Sequence, residues 1–207
     1  PGSPKDTKNS VEICIFMHSQ KQHVSLSIMI HITTVSGALI LPYLPALGQL
    51  RIKVFREFPY LYEGNQAYEE KYLASYTQSP LSLAVLAWIH DPLHGMIQTE
   101  GKTLIGASTA TPLNTEPHEV IDPFIRKGLN AGNIFYLGES VLLKEFRGRG
   151  IGHAFFDARE SFARKHGFTH TAFYASNAPI IIHAAPPPMF LMTASGISGA
   201  TPKTKIC

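Results

Sequence analysis

Cysteine is nearly absent from this 207-residue chain: Cys14 and Cys207 lie near opposite ends. That leaves no disulfide framework and no zinc-ligand spacing, and it fits a reducing cytoplasm. Charge is also scarce, at 16% of residues with a formal net charge of +3, and the basic side chains gather into no single stripe. A nucleic-acid footprint is therefore not expected. Long apolar runs are missing too. The most hydrophobic region, about residues 28 to 47, is broken by His31, Thr33, Thr34, Pro42 and Pro45, so no membrane span is expected. No small-residue cleavage pattern follows it cleanly, which disfavours a signal peptide. What the chain does have is 44% hydrophobic residues, enough to build the core of one domain.

The most informative segment is Arg147-Gly148-Arg149-Gly150-Ile151-Gly152. A strand-like run from Asn133 to Leu143 precedes it, and an amphipathic helix follows. Along that helix Ile151, Ala154, Phe155, Ala158 and Phe162 form one apolar face, while His153, Asp157, Glu160 and Arg164 fall elsewhere. Lys165 and His166 suit the last turn, Gly167 suits the stop, and residues 169–175 read as the next strand. Strand, helix and parallel strand make a right-handed βαβ unit. A glycine-rich turn entering a helix leaves several backbone N–H groups aimed at one spot, where the helix dipole favours an anion. Arg147 and Arg149 add charge, so a phosphate or pyrophosphate is the expected ligand.

Spacing narrows the ligand. A dinucleotide fingerprint would need glycine where this chain has His153, and an acidic residue near Tyr174, where there is none. The pattern present is Arg-x-x-Gly-x-Gly, set within Glu139-Ser-Val-Leu-Leu and a following helix of the form His-Ala-Phe-Phe-Asp-Ala-Arg159. This strand, loop and helix resemble the acetyl-CoA-binding core of the GNAT (Gcn5-related N-acetyltransferase) superfamily, in a bacterial subgroup. The resemblance implies an α/β fold: a mixed, mostly antiparallel sheet with a central βαβ acyl-CoA-binding unit. It implies acetyl-CoA as cosubstrate, with the pantetheine arm on the backbone of Val141, Leu142 and Leu143 and the pyrophosphate on Arg147, Gly148, Arg149, Gly150, Ile151 and Gly152. The implied function is acyl-CoA-dependent N-acetyl transfer to an amine of a small molecule or protein. The alternative is a catalytically impaired CoA-binding or regulatory domain. The resemblance also allows a homodimer.

Acetyl transfer needs a proton acceptor for the amine. Glu139, the one carboxylate inside the strand, is either that base, acting directly or through water, or a structural hydrogen-bonding residue. By the same resemblance the segment joining the first two helices helps form the acceptor site, making Phe58, Tyr60, Tyr62 and Glu63 candidates to line it. Ordinary packing is the competing reading of those aromatics. The tyrosine often used by the family as general acid has no counterpart, since Tyr174 falls on the strand and not on a following helix.

The remaining expectations are architectural. The chain opens on Pro1, and residues 1–28 are polar and aperiodic, so they read as a leader or disordered tail, with the domain at 29–175. A first strand is expected around Ile30, Ile32 and Val35, then a helix from Leu39 to Phe55 entered through Pro42 and Pro45, and a second helix from Ala67 to Ser75. Residues 81–89 and 102–110 read as an antiparallel hairpin. Within it, Gly95 to Thr103 imitates a nucleotide P-loop but has one residue too many between its glycines and leads into a strand. His90 and His94 stand four apart, but Pro92 breaks any helix that would align them as a metal pair. Residues 176–207 show no helical stripe, carry Pro186-Pro187-Pro188, and lack the family's closing helix and strand. They read as an atypical, frame-shifted tail, since synonymous codons shifted by two nucleotides permit Trp-His-Lys-Arg-Gly-Tyr.

Overall fold

The computed structural model describes residues 28–57 and 60–174, together with the backbone of 181–184. The expectations placed on residues 1–27, on Phe58 and on most of the tail lie outside the described residues.

The β-branched run at the start of the domain forms strand β1 (His31–Ser36), followed by a 3-10 stretch (Gly37–Tyr43) and helix α1 (Leu44–Phe55). The continuous helix expected from Leu39 thus begins as the tighter form. Pro42 and Pro45 lack the N–H groups that would close its first α-helical bonds. Helix α2 (Gln66–Leu73) is capped by Asn65, whose side chain accepts from the Tyr68 N–H at 3.2 Å. It runs on as a 3-10 turn, Ala74–Thr77, which covers the rest of the helix expected there. The hairpin is present as β2 (Leu83–Ile89) and β4 (Lys102–Pro112), with a two-residue strand β3 (Gln98–Thr99) paired to β4. A short helix, α3 (His118–Ile125), had no sequence expectation.

Strand β5 (Ile134–Leu142), helix α4 (Ile151–Lys165) and strand β6 (His170–Phe173) are the expected βαβ unit, with β5 and β6 parallel. Gly167 adopts φ +80°, and the Phe168 N–H reaches back to Ala163 O at 3.0 Å, closing the helix as expected. Of the tail, only the backbone of residues 181–184 is described, and it adds a strand that the sequence does not predict. Ile181–Ala184 forms strand β7, antiparallel to β6, because a β-branched pair at 181 and 182 is well suited to a sheet edge.

The sheet order is β1-β2-β4-β5-β6-β7, and every neighbouring pair except β5/β6 is antiparallel. Strands β2 and β4 are buried along nearly their whole lengths. Helix α4 packs across β2, β4, β5 and β6, while α1 packs on β4 and β5. Residues 37–55 are apolar and long enough to meet a length-and-composition test for a membrane span. Ile40, Leu44, Leu47 and Leu50 of that segment are instead buried in the core of this domain.

Candidate functional site

Two irregularities in the sheet create the site. The first is a splay. Strands β5 and β6 pair only from Ile134 to Tyr136 against His170 to Ala172, so β5 continues toward Leu142 with its β6-facing edge free of pairing to β6. The second is a bulge. The β4–β5 register runs from Ser108↔Ser140 to Ala110↔Leu137, so Thr109 alone faces both Gly138 and Glu139. Glycine is required at 138, because a Cβ there would lie 2.8 Å from both Thr109 Oγ1 and the Tyr76 hydroxyl.

The open edge leads into the glycine loop. Leu143 N–H donates to Ile105 O at 2.9 Å, so by ladder alternation the Leu142 backbone faces away from β4. There Leu142 O accepts from Arg147 Nε at 3.1 Å. Of the three residues expected to meet a pantetheine arm, Leu142 therefore turns its backbone to the gap, whereas Val141 and Leu143 bury their side chains in the core.

Gly148 and Gly150 take φ +75° and +78°, a left-handed region costly for other residues, and Gly150 caps α4. A Cβ at 148, 150 or 152 would meet no atom within 4 Å, so these glycines border open space. The first turn of α4 has no side-chain cap and no acidic residue, which leaves its N–H groups available to an anion. Arg147 is exposed beside this cradle, 3.4 Å from Glu57, and the Arg149 guanidinium lies 5.2 Å over the Phe146 ring. The loop residues expected to bind pyrophosphate are thus contiguous in space, and they fit a multiply charged phosphate.

At the bulge, Glu139 forms an ion pair with Arg51 of α1. Arg51 in turn bonds Glu69 of α2 at 2.5 Å and stacks 5.0 Å from Phe55 and 4.7 Å from Tyr72. Glu69 is fully buried, so α1, α2 and β5 meet on one ionic network. Tyr62 joins it: a hydrogen bond to Glu69 pushes the phenol pKa up, with burial and the Glu69 charge adding to the shift. Tyr60 is exposed and packs edge-on against Phe55 at 5.2 Å, and Glu63 is exposed. Tyr76, which carries no sequence expectation, is buried with its hydroxyl against Gly138, and burial pushes its pKa far up, so it keeps its proton.

Beyond Tyr76 runs a groove of about 790 Å³ whose lining includes Tyr68, Tyr72, Tyr76, Lys71, Thr111 and Glu116. Tyr60, Tyr62 and Glu63 are not part of that lining. Burial raises the Glu116 carboxyl pKa, and burial followed by the charge of Glu116 pushes Tyr136 up to about 12. The sequence did carry a signal for this wall: Tyr68, Tyr72 and Tyr76 repeat every four residues, the spacing of one helix face.

Residues 60–181 match the sequence model of the Acetyltransferase (GNAT) family. Among solved structures, aminoglycoside N-acetyltransferase AAC(6')-Iy in complex with CoA shares 15% identity at TM-score 0.48, over 75% of this chain and 82% of that one. A GNAT family acetyltransferase from Brucella melitensis, in complex with acetyl-CoA, shares 17% at TM-score 0.48, over 77% and 90%. A GCN5-related N-acetyltransferase from Kribbella flavida shares 16% at TM-score 0.43, over 70% of each chain. No curated protein matches the chain significantly.

Proposed function

Since the chain belongs to the GNAT acetyltransferase family, we propose that it is an acetyl-CoA-dependent N-acetyltransferase acting on a small-molecule amine. The observation that carries this reading is the continuity of the β5 edge, unpaired beyond Tyr136 among the described residues, with the glycine cradle at the start of α4. An extended pantetheine arm suits the first and a pyrophosphate suits the second. Acetyl-CoA, when bound, supplies an acetyl thioester activated toward an amine.

The chain's own residues do the rest. Backbone N–H groups of Ile151, Gly152 and His153 hold the pyrophosphate, assisted by Arg147 and Arg149. The Leu142 backbone aligns the arm along β5. Glu139 receives the acceptor's ammonium and takes its proton, directly or through water. Its pairing with Arg51 fixes the carboxylate in place. The acceptor lies in the tyrosine groove, whose volume is that of a small-molecule site.

Thiol release from acetyl-CoA, measured across a panel of small amines and amine-bearing peptides, tests the proposal. Amine-dependent release that falls in Glu139→Gln supports it. Tight CoA binding without release for any amine would select a silent CoA-binding domain instead.

A further inference from the structure

Arg159 is 2% exposed, which puts it among the largest fully buried side chains of the domain. It lies one turn beyond Phe155 on the core-facing side of α4, where an apolar residue would continue the stripe. No carboxylate is in ion-pair contact with it among the described residues; Glu160, its neighbour, pairs with Arg164 at 3.7 Å. Burial lowers its pKa to about 10, so it remains a cation at neutral pH. A desolvated charge without a carboxylate partner does not hold a core together better than a methionine would. Its location must be accounted for by what it touches.

It touches the bulge. Arg159 Nε donates to Phe155 O at 3.2 Å, its carbon Cζ stands 4.6 Å over the Phe156 ring, and Nη1 reaches Thr109 O at 3.4 Å. Thr109 is the residue of β4 that faces two residues of β5. Its side chain accepts from the Glu139 N–H at 3.3 Å and contacts the Tyr76 hydroxyl. The bulge residue is therefore held at both ends, its side chain toward Glu139 and Tyr76 and its carbonyl toward Arg159.

We infer that Arg159 is a positioning residue for the transfer reaction: through the Thr109 carbonyl it fixes the bulge at Gly138 and Glu139, and with it the direction of the open β5 edge. The consequence for the reaction rests on the function proposed above, whereas the mechanical part does not. Arg159 stands on the helix whose first turn forms the phosphate cradle, so one rigid element sets both the cradle and the bulge.

The experiment compares wild type, Arg159→Met and Arg159→Lys by amide hydrogen exchange, CoA calorimetry and steady-state kinetics. In Arg159→Met, exchange at the Glu139 amide should rise about tenfold or more, as local opening at the bulge becomes easier. CoA affinity should stay within about threefold, because the cradle is untouched. kcat should fall about 100-fold at unchanged KM for acetyl-CoA, the scale expected when reacting groups shift by about 1 Å. Arg159→Lys, which keeps a donor, should recover part of both losses, and it carries the test alone if Arg159→Met does not fold. Wild-type exchange at Glu139 in a folded Arg159→Met protein, or in Arg159→Lys if only that variant folds, would overturn the inference. So would wild-type kcat in that protein. If wild type shows no amine-dependent turnover, the proposed function fails while the exchange data still decide the role of Arg159.

Discussion

Replacing Gly152 with leucine separates stability from ligand binding. Gly152 is the second residue of α4, and a Cβ there would meet no atom within 4 Å, so the fold has room for a side chain. Glycine inside a helix costs about 0.5–1 kcal/mol relative to a residue with a side chain. Gly152→Leu should therefore keep or raise the melting temperature, by about 1–4 °C for a chain of this size. The same side chain fills the space onto which the first-turn N–H groups open. A hydrogen bond to a charged group contributes about 1.5–3 kcal/mol, so losing one weakens CoA binding by about 10- to 150-fold. Calorimetric titration with CoA, paired with differential scanning calorimetry, reads both quantities. Wild-type CoA affinity in a folded Gly152→Leu protein would refute the cradle.

Arg147→Ala should weaken CoA about tenfold, the size of one exposed charge-assisted contact, and the loss should shrink as salt rises in a titration series. Arg51→Met leaves Glu69 buried without its partner, so chemical denaturation should show a loss of about 3 kcal/mol or more. Glu116 has a raised pKa in the folded state, so the fold binds its proton more tightly than the unfolded chain does. Its carboxyl thus becomes a liability as pH rises from the unfolded value through the folded one. Glu116→Gln should raise the melting temperature at pH 7, and the gain should vanish below about pH 4. A gain that persists at low pH would contradict that sign.

The parts of this molecule that were legible in its sequence are those encoded locally. The cradle is written in consecutive residues, because glycines at 148 and 150 are needed where φ turns positive, and α4 follows from one apolar stripe. Ile151, Ala154 and Phe155 are buried as that stripe requires. The same periodicity continues through Arg159, a buried cation that a stripe of apolar residues does not reveal. The ionic network was hidden for a different reason. Arg51, Glu69 and Glu139 belong to α1, α2 and β5, and only the packing of those elements brings them together. The bulge is equally non-local: Gly138 looks unremarkable until Thr109 and Tyr76 stand against it. Strand β7 is hard to read in the sequence because prolines and small residues on both sides mask a short β-branched run.

The central claim is that the loop entering α4 holds the pyrophosphate while the edge of β5 that parts from β6 after Tyr136 holds the arm. A titration of isotope-labelled protein with CoA, followed by backbone amide NMR, tests it most directly. The account predicts saturable shifts centred on the amides of residues 148–153, together with the amide of Leu142 on β5. Saturable binding that leaves those amides unmoved and perturbs residues elsewhere would contradict it.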